Sequence, residues 1–183
     1  MNIPNYLTVL RILLIPVFVI VFYLPWKHSH IATAVIFSVA ALTDWLDGYL
    51  ARLWKQESPL GAFLDPVADK LMVAVVLVLL LQKHPTVWLA LPAAVIIGRE
   101  ITVSALREWM AELGARSKVA VSFVGKYKTA AQMIALIMML FQEPLLGVDI
   151  YRVGFVLLYI SAALTIWSMC IYLGAAWPRL QSK

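Results

Sequence analysis

Charged residues are scarce in this chain of 183 amino acids. They make up 14% of the sequence, against about 25% in soluble globular proteins. Hydrophobic residues reach 63%, and the mean hydropathy is +0.87. This scarcity of charge excludes an ordinary soluble domain and predicts an all-α integral membrane protein.

Cysteine is nearly absent as well, because Cys170 is the single one in the chain. An internal disulfide and a Cys/His zinc cluster are therefore excluded. Lys and Arg outnumber Asp and Glu by 15 to 10, and the net charge of +5 suits anionic lipids or anionic substrates. The basic residues are not interleaved with a soluble aromatic platform, so we expect no nucleic-acid partner.

Apolar runs suited to a bilayer recur six times along the chain. The predicted spans are Tyr6–Leu24, Ile31–Leu53, Pro66–Leu81, Val87–Met110, Lys126–Phe141 and Val153–Trp177. No polar linker is long enough for a second domain, so residues 1–183 are expected to form one domain, with residues 1–6 as an interfacial segment. Lys and Arg concentrate in the loops on one side, which predicts that this side, both termini and a polar cavity between the spans face the cytoplasm.

Four aspartates lie within residues 44–69, which cover the end of the second apolar run, the loop and the start of the third run. Asp44 and Asp47 are three positions apart, so they share one face of a helix. Asp65 and Asp69 are four positions apart and also share a face. A helical hairpin with its loop near Ser58–Pro59 would bring all four carboxylates together.

Carboxylates that meet at a membrane boundary need compensating charge. Two like charges about 4 Å apart repel by roughly 4 kcal/mol at an effective dielectric constant near 20. Oxygen ligands suit hard cations such as Mg²⁺ or Mn²⁺, and two divalent ions would balance four carboxylates. The motif therefore predicts a two-metal site suited to phosphate chemistry. A solvated charged loop would explain Lys55–Glu57, but not aspartates inside apolar flanks.

Basic residues at the end of the fourth run and the start of the fifth predict a pocket for a phosphorylated substrate. Arg99 and Arg107 recur at near-helical spacing, and Lys126 and Lys128 add cations at the same depth. Two simpler interpretations stay open. Glu100 or Glu108 would merely pair with the arginines, and the loop charges around Arg116 would follow the positive-inside rule.

Arg11 lies inside the first apolar run, where an unpaired charge is costly. Two interpretations stay open for its side chain. It either snorkels to the cytoplasmic headgroups or is paired and lines the site.

The pattern D-x-x-D-G-x-x-A-R, eight residues, then G-x-x-x-D-x-x-x-D resembles the signature of the CDP-alcohol phosphotransferases. Its eight fixed positions are filled by Asp44, Asp47, Gly48, Ala51, Arg52, Gly61, Asp65 and Asp69. The resemblance implies that all four aspartates bind metal and that Asp69 also acts as the general base. It implies that the donor's cytidine diphosphate is held by Asp47, Gly48, Ala51, Arg52 and Gly61. The opening P-N-x-L-T-x-x-R resembles the family's amino-terminal segment and adds Asn5 and Thr8.

The stretches R-E-I-T-V-S-A-L-R-E-W-M-A-E and V-G-K-Y-K-T-A-A-Q-M resemble the bacterial subgroup of this family that makes phosphatidylglycerophosphate. This resemblance implies transfer of a phosphatidyl group from CDP-diacylglycerol to sn-glycerol 3-phosphate, with release of CMP. It implies an acceptor-phosphate pocket formed by Arg99, Arg107, Lys126 and Arg116. A homodimer in the bacterial inner membrane, in contact with membrane lipids, is expected.

Two alternatives remain for the function. The same donor chemistry would serve another acceptor, such as inositol phosphate or serine, although a basic pocket disfavours serine. A cation transporter would also place carboxylates inside a membrane protein. Transport, however, does not require the Ala-Arg pair and the two glycines at their spacing. A structural lipid-binding protein would leave the four aspartates unexplained.

Overall fold

The computed structural model describes residues 3–54, 59–112 and 123–180. These residues form six α-helices: α1 (Ile3–Tyr23), α2 (Ser29–Trp54), α3 (Pro59–Lys83), α4 (Val87–Glu112), α5 (Phe123–Phe141) and α6 (Ile150–Leu180). The described part of the chain contains no β-strand. The prediction of an all-α protein is therefore confirmed, and each helix contains most or all of one predicted apolar run.

The helices alternate in direction, as contacts at both ends of the bundle demonstrate. At one end, His30 Nε2 lies 3.0 Å from Glu143 Oε1, and Tyr159 donates a hydrogen bond to the Trp88 carbonyl at 2.6 Å. The start of α1 and the end of α2 meet at the other end, where Arg11 contacts Asp44. We call the end with Arg11 and Asp44 the carboxylate end, and the opposite end the distal end.

The start of α3 differs from the prediction. The third predicted span begins at Pro66, but α3 begins at Pro59 and Pro66 lies inside it. Pro59, at the first helical position, costs the helix no backbone hydrogen bond, because an N–H group there would have had no partner within the helix. Pro66 removes one backbone hydrogen bond, and the helix continues through it. Asp65 therefore projects from a helix body rather than from a cap.

The core between the helices is apolar and closely packed. Phe18, Phe37, Leu77 and Leu136 are among its fully buried side chains. Gly154 allows α6 to approach α5, since a Cβ atom there would lie 2.8 Å from the Ala135 carbonyl oxygen. The outer surface is apolar too and exposes many large side chains, including Leu13, Val78, Ile101 and Trp167. Such a surface is expected where helices face lipid rather than water.

Three of the described helices contain a stretch long and apolar enough to cross a membrane: Tyr6–Tyr23, Val87–Met110 and Ile150–Gly174. Ser29–Asp44 and Lys128–Phe141 are shorter apolar stretches. The six predicted spans thus correspond to six helices, of which three meet this criterion. The physical reason lies in the sequence, because the aspartates of α2 and α3 and the lysines of α5 interrupt the apolar segments of those helices.

Candidate active site between the helices

Three aspartates from α2 and α3 surround the start of α1. Nη1 of Arg11 donates to Oδ1 of Asp44 at 2.8 Å and also contacts Oδ1 of Asp69. The Thr8 hydroxyl donates to Oδ1 of Asp65 at 2.5 Å. We call these five side chains the carboxylate cluster. Helical spacing explains the arrangement on α1 and α3, because Thr8 with Arg11 and Asp65 with Asp69 each share a face.

Arg11 belongs to this cluster and does not snorkel. Its side chain is 1% exposed and pairs with carboxylates from two different helices. A buried guanidinium requires such partners, because its desolvation costs several kcal/mol. The sequence left this choice open, since the position of Arg11 within the apolar run suits both interpretations.

The other predicted donor-binding residues are described only in part. Gly61 lies buried in the first turn of α3. Asp47, Gly48, Ala51 and Arg52 follow Asp44 on α2, and Asn5 precedes Thr8 on α1, but their side chains lie outside the described part of the structure.

A second charged cluster joins α4 to α5 and α6. The Glu100 carboxylate accepts from Arg99 Nη1 at 2.6 Å and from Lys128 Nζ at 3.2 Å. Arg99 also donates through Nη2 to the Ser168 hydroxyl at 3.2 Å, and its guanidinium lies 5.9 Å from the centre of the Tyr172 ring. We call Arg99, Glu100 and Lys128 the basic cluster. Both cations are buried, with exposed fractions of 8% and 2%.

The pairing of Glu100 with Arg99 was one of the two interpretations of this segment, and the structure contains it. Lys128 is a functional candidate that the sequence pattern included, but the acceptor pocket implied by the resemblance omitted it in favour of Lys126. Two lysines two positions apart lie on different helix faces, and the sequence offers no register to choose between them. The side chains of Arg107 and Lys126, and the whole of Arg116, lie outside the described residues.

One cavity of about 330 Å³ connects the two clusters. Its wall includes Asp65, Asp69, Arg99, Glu100, Lys128 and Gln132. Carboxylates of α3 thus face the same space as the cations of α4 and α5. A ligand that carries both a metal-binding phosphate and a second phosphate would fit this distribution of charge.

An apolar groove adjoins this cavity. It measures about 390 Å³, lies between α3 and α4, and is lined by Leu71, Ala74, Ile97 and Ile101 among others. Lys70 borders both the groove and the cavity and donates to the Ser104 hydroxyl. A molecule with a polar head and a hydrocarbon tail could therefore place each part in a matching environment.

The donor atoms of the carboxylate cluster are oxygens, which suit a hard divalent cation. Among the described side chains, no three His, Cys, Asp or Glu residues lie close enough to hold an ion. Oxygens of Asp44 and Asp69, which come from different helices, nevertheless converge on one cationic nitrogen of Arg11. Carboxylate oxygens that already converge on a cation suit Mg²⁺ or Mn²⁺.

Comparisons with known proteins agree with the signature. Residues 1–167 match the family model described as CDP-alcohol phosphatidyltransferase. A relative from Pseudomonas fluorescens, named CDP-diacylglycerol--glycerol-3-phosphate 3-phosphatidyltransferase, is 58% identical over 183 residues, which cover 100% of this chain and 93% of the relative. Relatives of the same name from Yersinia pestis (strain Pestoides F) and Shigella flexneri serotype 5b are each 57% identical. They cover 98% and 96% of this chain, and 97% and 94% of their own lengths. The chain therefore belongs to the CDP-alcohol phosphatidyltransferase family.

Proposed function

We propose that this protein transfers the phosphatidyl group of CDP-diacylglycerol to sn-glycerol 3-phosphate, giving phosphatidylglycerophosphate and CMP. The names of relatives 57–58% identical over nearly the whole chain support the reaction. The observation that carries the proposal is a cavity whose wall joins the carboxylate cluster to the basic cluster. A lipid diphosphate donor and a phosphorylated acceptor together require both kinds of cluster.

The donor binds at the carboxylate end. Its cytidine diphosphate is held by the signature residues of α2 and α3 and by the start of α1: Asp47, Gly48, Ala51, Arg52, Gly61, Asn5 and Thr8. Small residues in that signature let the ligand approach the helix backbone closely. The groove beside Lys70 supports a lipid donor, because hydrocarbon chains prefer such a surface.

Divalent ions, two Mg²⁺ or Mn²⁺, complete this site. Asp44, Asp47, Asp65 and Asp69 would hold them, because carboxylate oxygens from two helices already converge there. When bound, such ions would supply electrostatic stabilisation of the negative charge that develops on the phosphoryl oxygens and on the leaving CMP.

The acceptor binds on the opposite wall of the cavity. Its phosphate is held by Arg99 and Lys128, with Arg107, Lys126 and Arg116 as further candidates. Asp69 accepts the proton of the acceptor's primary hydroxyl, and the hydroxyl oxygen bonds to the phosphorus that carries the diacylglycerol. The bond from that phosphorus to the CMP oxygen breaks, so CMP leaves with the bonding electron pair.

The protein spans the bilayer with all six helices as one domain of residues 1–183. Helices α2 and α3 have 26 and 25 residues, or about 39 and 38 Å at 1.5 Å per residue, which exceeds a hydrocarbon core of about 30 Å. Of the Lys and Arg residues in the described part of the chain, Lys27, Lys83 and Arg152 belong to the distal end, and the others lie toward the carboxylate end. This asymmetry supports a cytoplasmic carboxylate end, with both termini there. A homodimer in the inner membrane stays a prediction.

CMP release by the purified protein in detergent tests the reaction. CDP-diacylglycerol and Mg²⁺ would be supplied with glycerol 3-phosphate, inositol phosphate, serine or no acceptor, each with an EDTA control. We expect release with glycerol 3-phosphate alone and none with EDTA. Release with another acceptor would replace the proposed one. No release at all, together with metal binding that Asp44→Ala abolishes, would favour cation transport.

A further inference from the structure

Gln132 is a buried polar side chain of α5 that the proposed reaction has not used. It is 4% exposed and lines the cavity between the two clusters. Its carboxamide oxygen is buried and has no hydrogen-bond partner among the described residues. Buried polar atoms are rarely left in this state in folded proteins, and a ligand that donates a hydrogen bond would satisfy this one.

The position of Gln132 relates it to the acceptor. Gln132 follows Lys128 by four residues, so both side chains lie on one face of α5, about 6 Å apart along its axis. Asp69 of α3 lines the same cavity. A small molecule with its phosphate at Lys128 and its reacting hydroxyl at Asp69 would occupy the cavity that Gln132 also lines.

The chemistry of the unpartnered carboxamide oxygen identifies the group it would bind. A phosphate dianion has no proton to donate, and its oxygens repel the carboxamide oxygen. An alcohol hydroxyl both donates and accepts, so it pairs with the carboxamide through either of its polar atoms. Glycerol 3-phosphate carries a primary and a secondary hydroxyl, and the primary one is engaged at Asp69.

We propose that Gln132 hydrogen-bonds the secondary hydroxyl of the acceptor and so selects glycerol 3-phosphate over phosphorylated alcohols that lack it. This inference rests on the proposed function. A site built around a hydrogen bond rejects the analogue without the hydroxyl, because its own polar atom is then left buried and unpaired.

The test compares two acceptors that differ in this hydroxyl alone. CMP release would be measured with glycerol 3-phosphate and with 3-hydroxypropyl phosphate, for wild type and for Gln132→Met. We expect wild type to prefer glycerol 3-phosphate by about 10- to 100-fold in kcat/KM. In Gln132→Met, which has similar volume but no acceptor atom, we expect this ratio to fall below about 3.

Lys128→Met is the matched control, since it makes the same replacement one turn away on the same face. It should weaken both acceptors alike and leave their ratio at the wild-type value. A merely structural role for Gln132 would also lower both rates without changing the ratio.

Two results would overturn the inference and spare the proposed reaction. One is a wild-type enzyme that uses both acceptors equally well, a result that needs no variant to fold. The other is an unchanged preference in Gln132→Met. If wild type releases no CMP with either acceptor, the proposed function fails, and this inference fails with it.

Discussion

The two charged clusters that share the cavity have opposite imbalances of charge. In the carboxylate cluster, three described aspartates accompany one guanidinium, whereas in the basic cluster two cations accompany one glutamate. Each cluster is partly neutralised from within, so neither leaves a bare charge in the apolar bundle. The remaining imbalance indicates the sign of the ligand, which is a cation at the first cluster and an anion at the second.

This difference explains how one small cavity can serve a reaction between two anionic molecules. The carboxylate cluster attracts the donor's diphosphate only through bound cations, whereas the basic cluster attracts the acceptor's phosphate directly. The distal end belongs to neither cluster, so the same substitutions made there provide controls.

The largest effect is expected from removing one carboxylate. Asp69→Asn should reduce CMP release by at least about 10³-fold, because it removes the proton acceptor. It should largely spare donor binding, because Asp44, Asp47 and Asp65 remain to hold the metal. The matched control is Asp149→Asn, which changes an exposed aspartate at the distal end that pairs with Arg152. Strong residual turnover in Asp69→Asn would remove its role as base.

Removing the cation of the carboxylate cluster should lower stability in a metal-dependent way. Arg11→Met leaves Asp44 and Asp69 without their buried partner. In EDTA, we expect the free energy of unfolding to fall by about 2–3 kcal/mol. Fully buried pairs lose roughly 3–5 kcal/mol, but about a third of each carboxylate is exposed here. Thermal unfolding in detergent would measure the loss, which Mg²⁺ should reduce. Arg152→Met, at an exposed distal arginine, is the control. An equal loss with and without Mg²⁺ would contradict the metal site.

A smaller effect is expected from the basic cluster. Lys128→Met should raise the KM for glycerol 3-phosphate by at least about 10-fold, the size of one charge-assisted hydrogen bond, and leave the KM for the donor nearly unchanged. Steady-state CMP release at varied concentrations of each substrate would measure both constants. Lys83→Met makes the same change at the distal end and should alter neither. A selective rise in the donor KM would reverse our assignment of the two walls.

The smallest effect concerns the distal end alone. Burial, with a smaller contribution from the charge of Lys83, lowers the pKa of His84 below its usual value of 6.5. The unfolded chain then binds the proton more tightly, so this contribution to stability is present above about pH 6.5 and is lost as the pH falls. His84→Gln should flatten the pH dependence of thermal unfolding between about pH 7 and 5 without changing CMP release at pH 7.5. A change in activity would show that the distal end is coupled to the cavity.

The sequence predicted much of this architecture because two of its signals are strong. Long apolar runs located the six helices to within a few residues at most of their ends, and the fixed spacing of the signature identified the family. The preference of proline for the first helical position, used without other information, gave the wrong start for α3. The prediction starts the third helix at Pro66, whereas the helix begins at Pro59.

The partners of buried charges could not be predicted. Arg11 pairs with aspartates 33 and 58 residues away, and Arg99 contacts Ser168 at a separation of 69 residues. Such contacts depend on how the helices pack, which spacing along a single helix does not encode. The same limitation favoured Lys126 over Lys128, whose side chain the bundle buries against Glu100.

Manganese binding tests the difference between the clusters most directly. Mn²⁺ bound to the detergent-purified protein would be counted by electron paramagnetic resonance for wild type, Asp44→Asn and Lys128→Met. We expect Asp44→Asn to lose most of the bound Mn²⁺, and Lys128→Met to bind as much as wild type. Wild-type binding in Asp44→Asn, or an equal loss in both variants, would contradict the assignment of the cation to the carboxylate cluster.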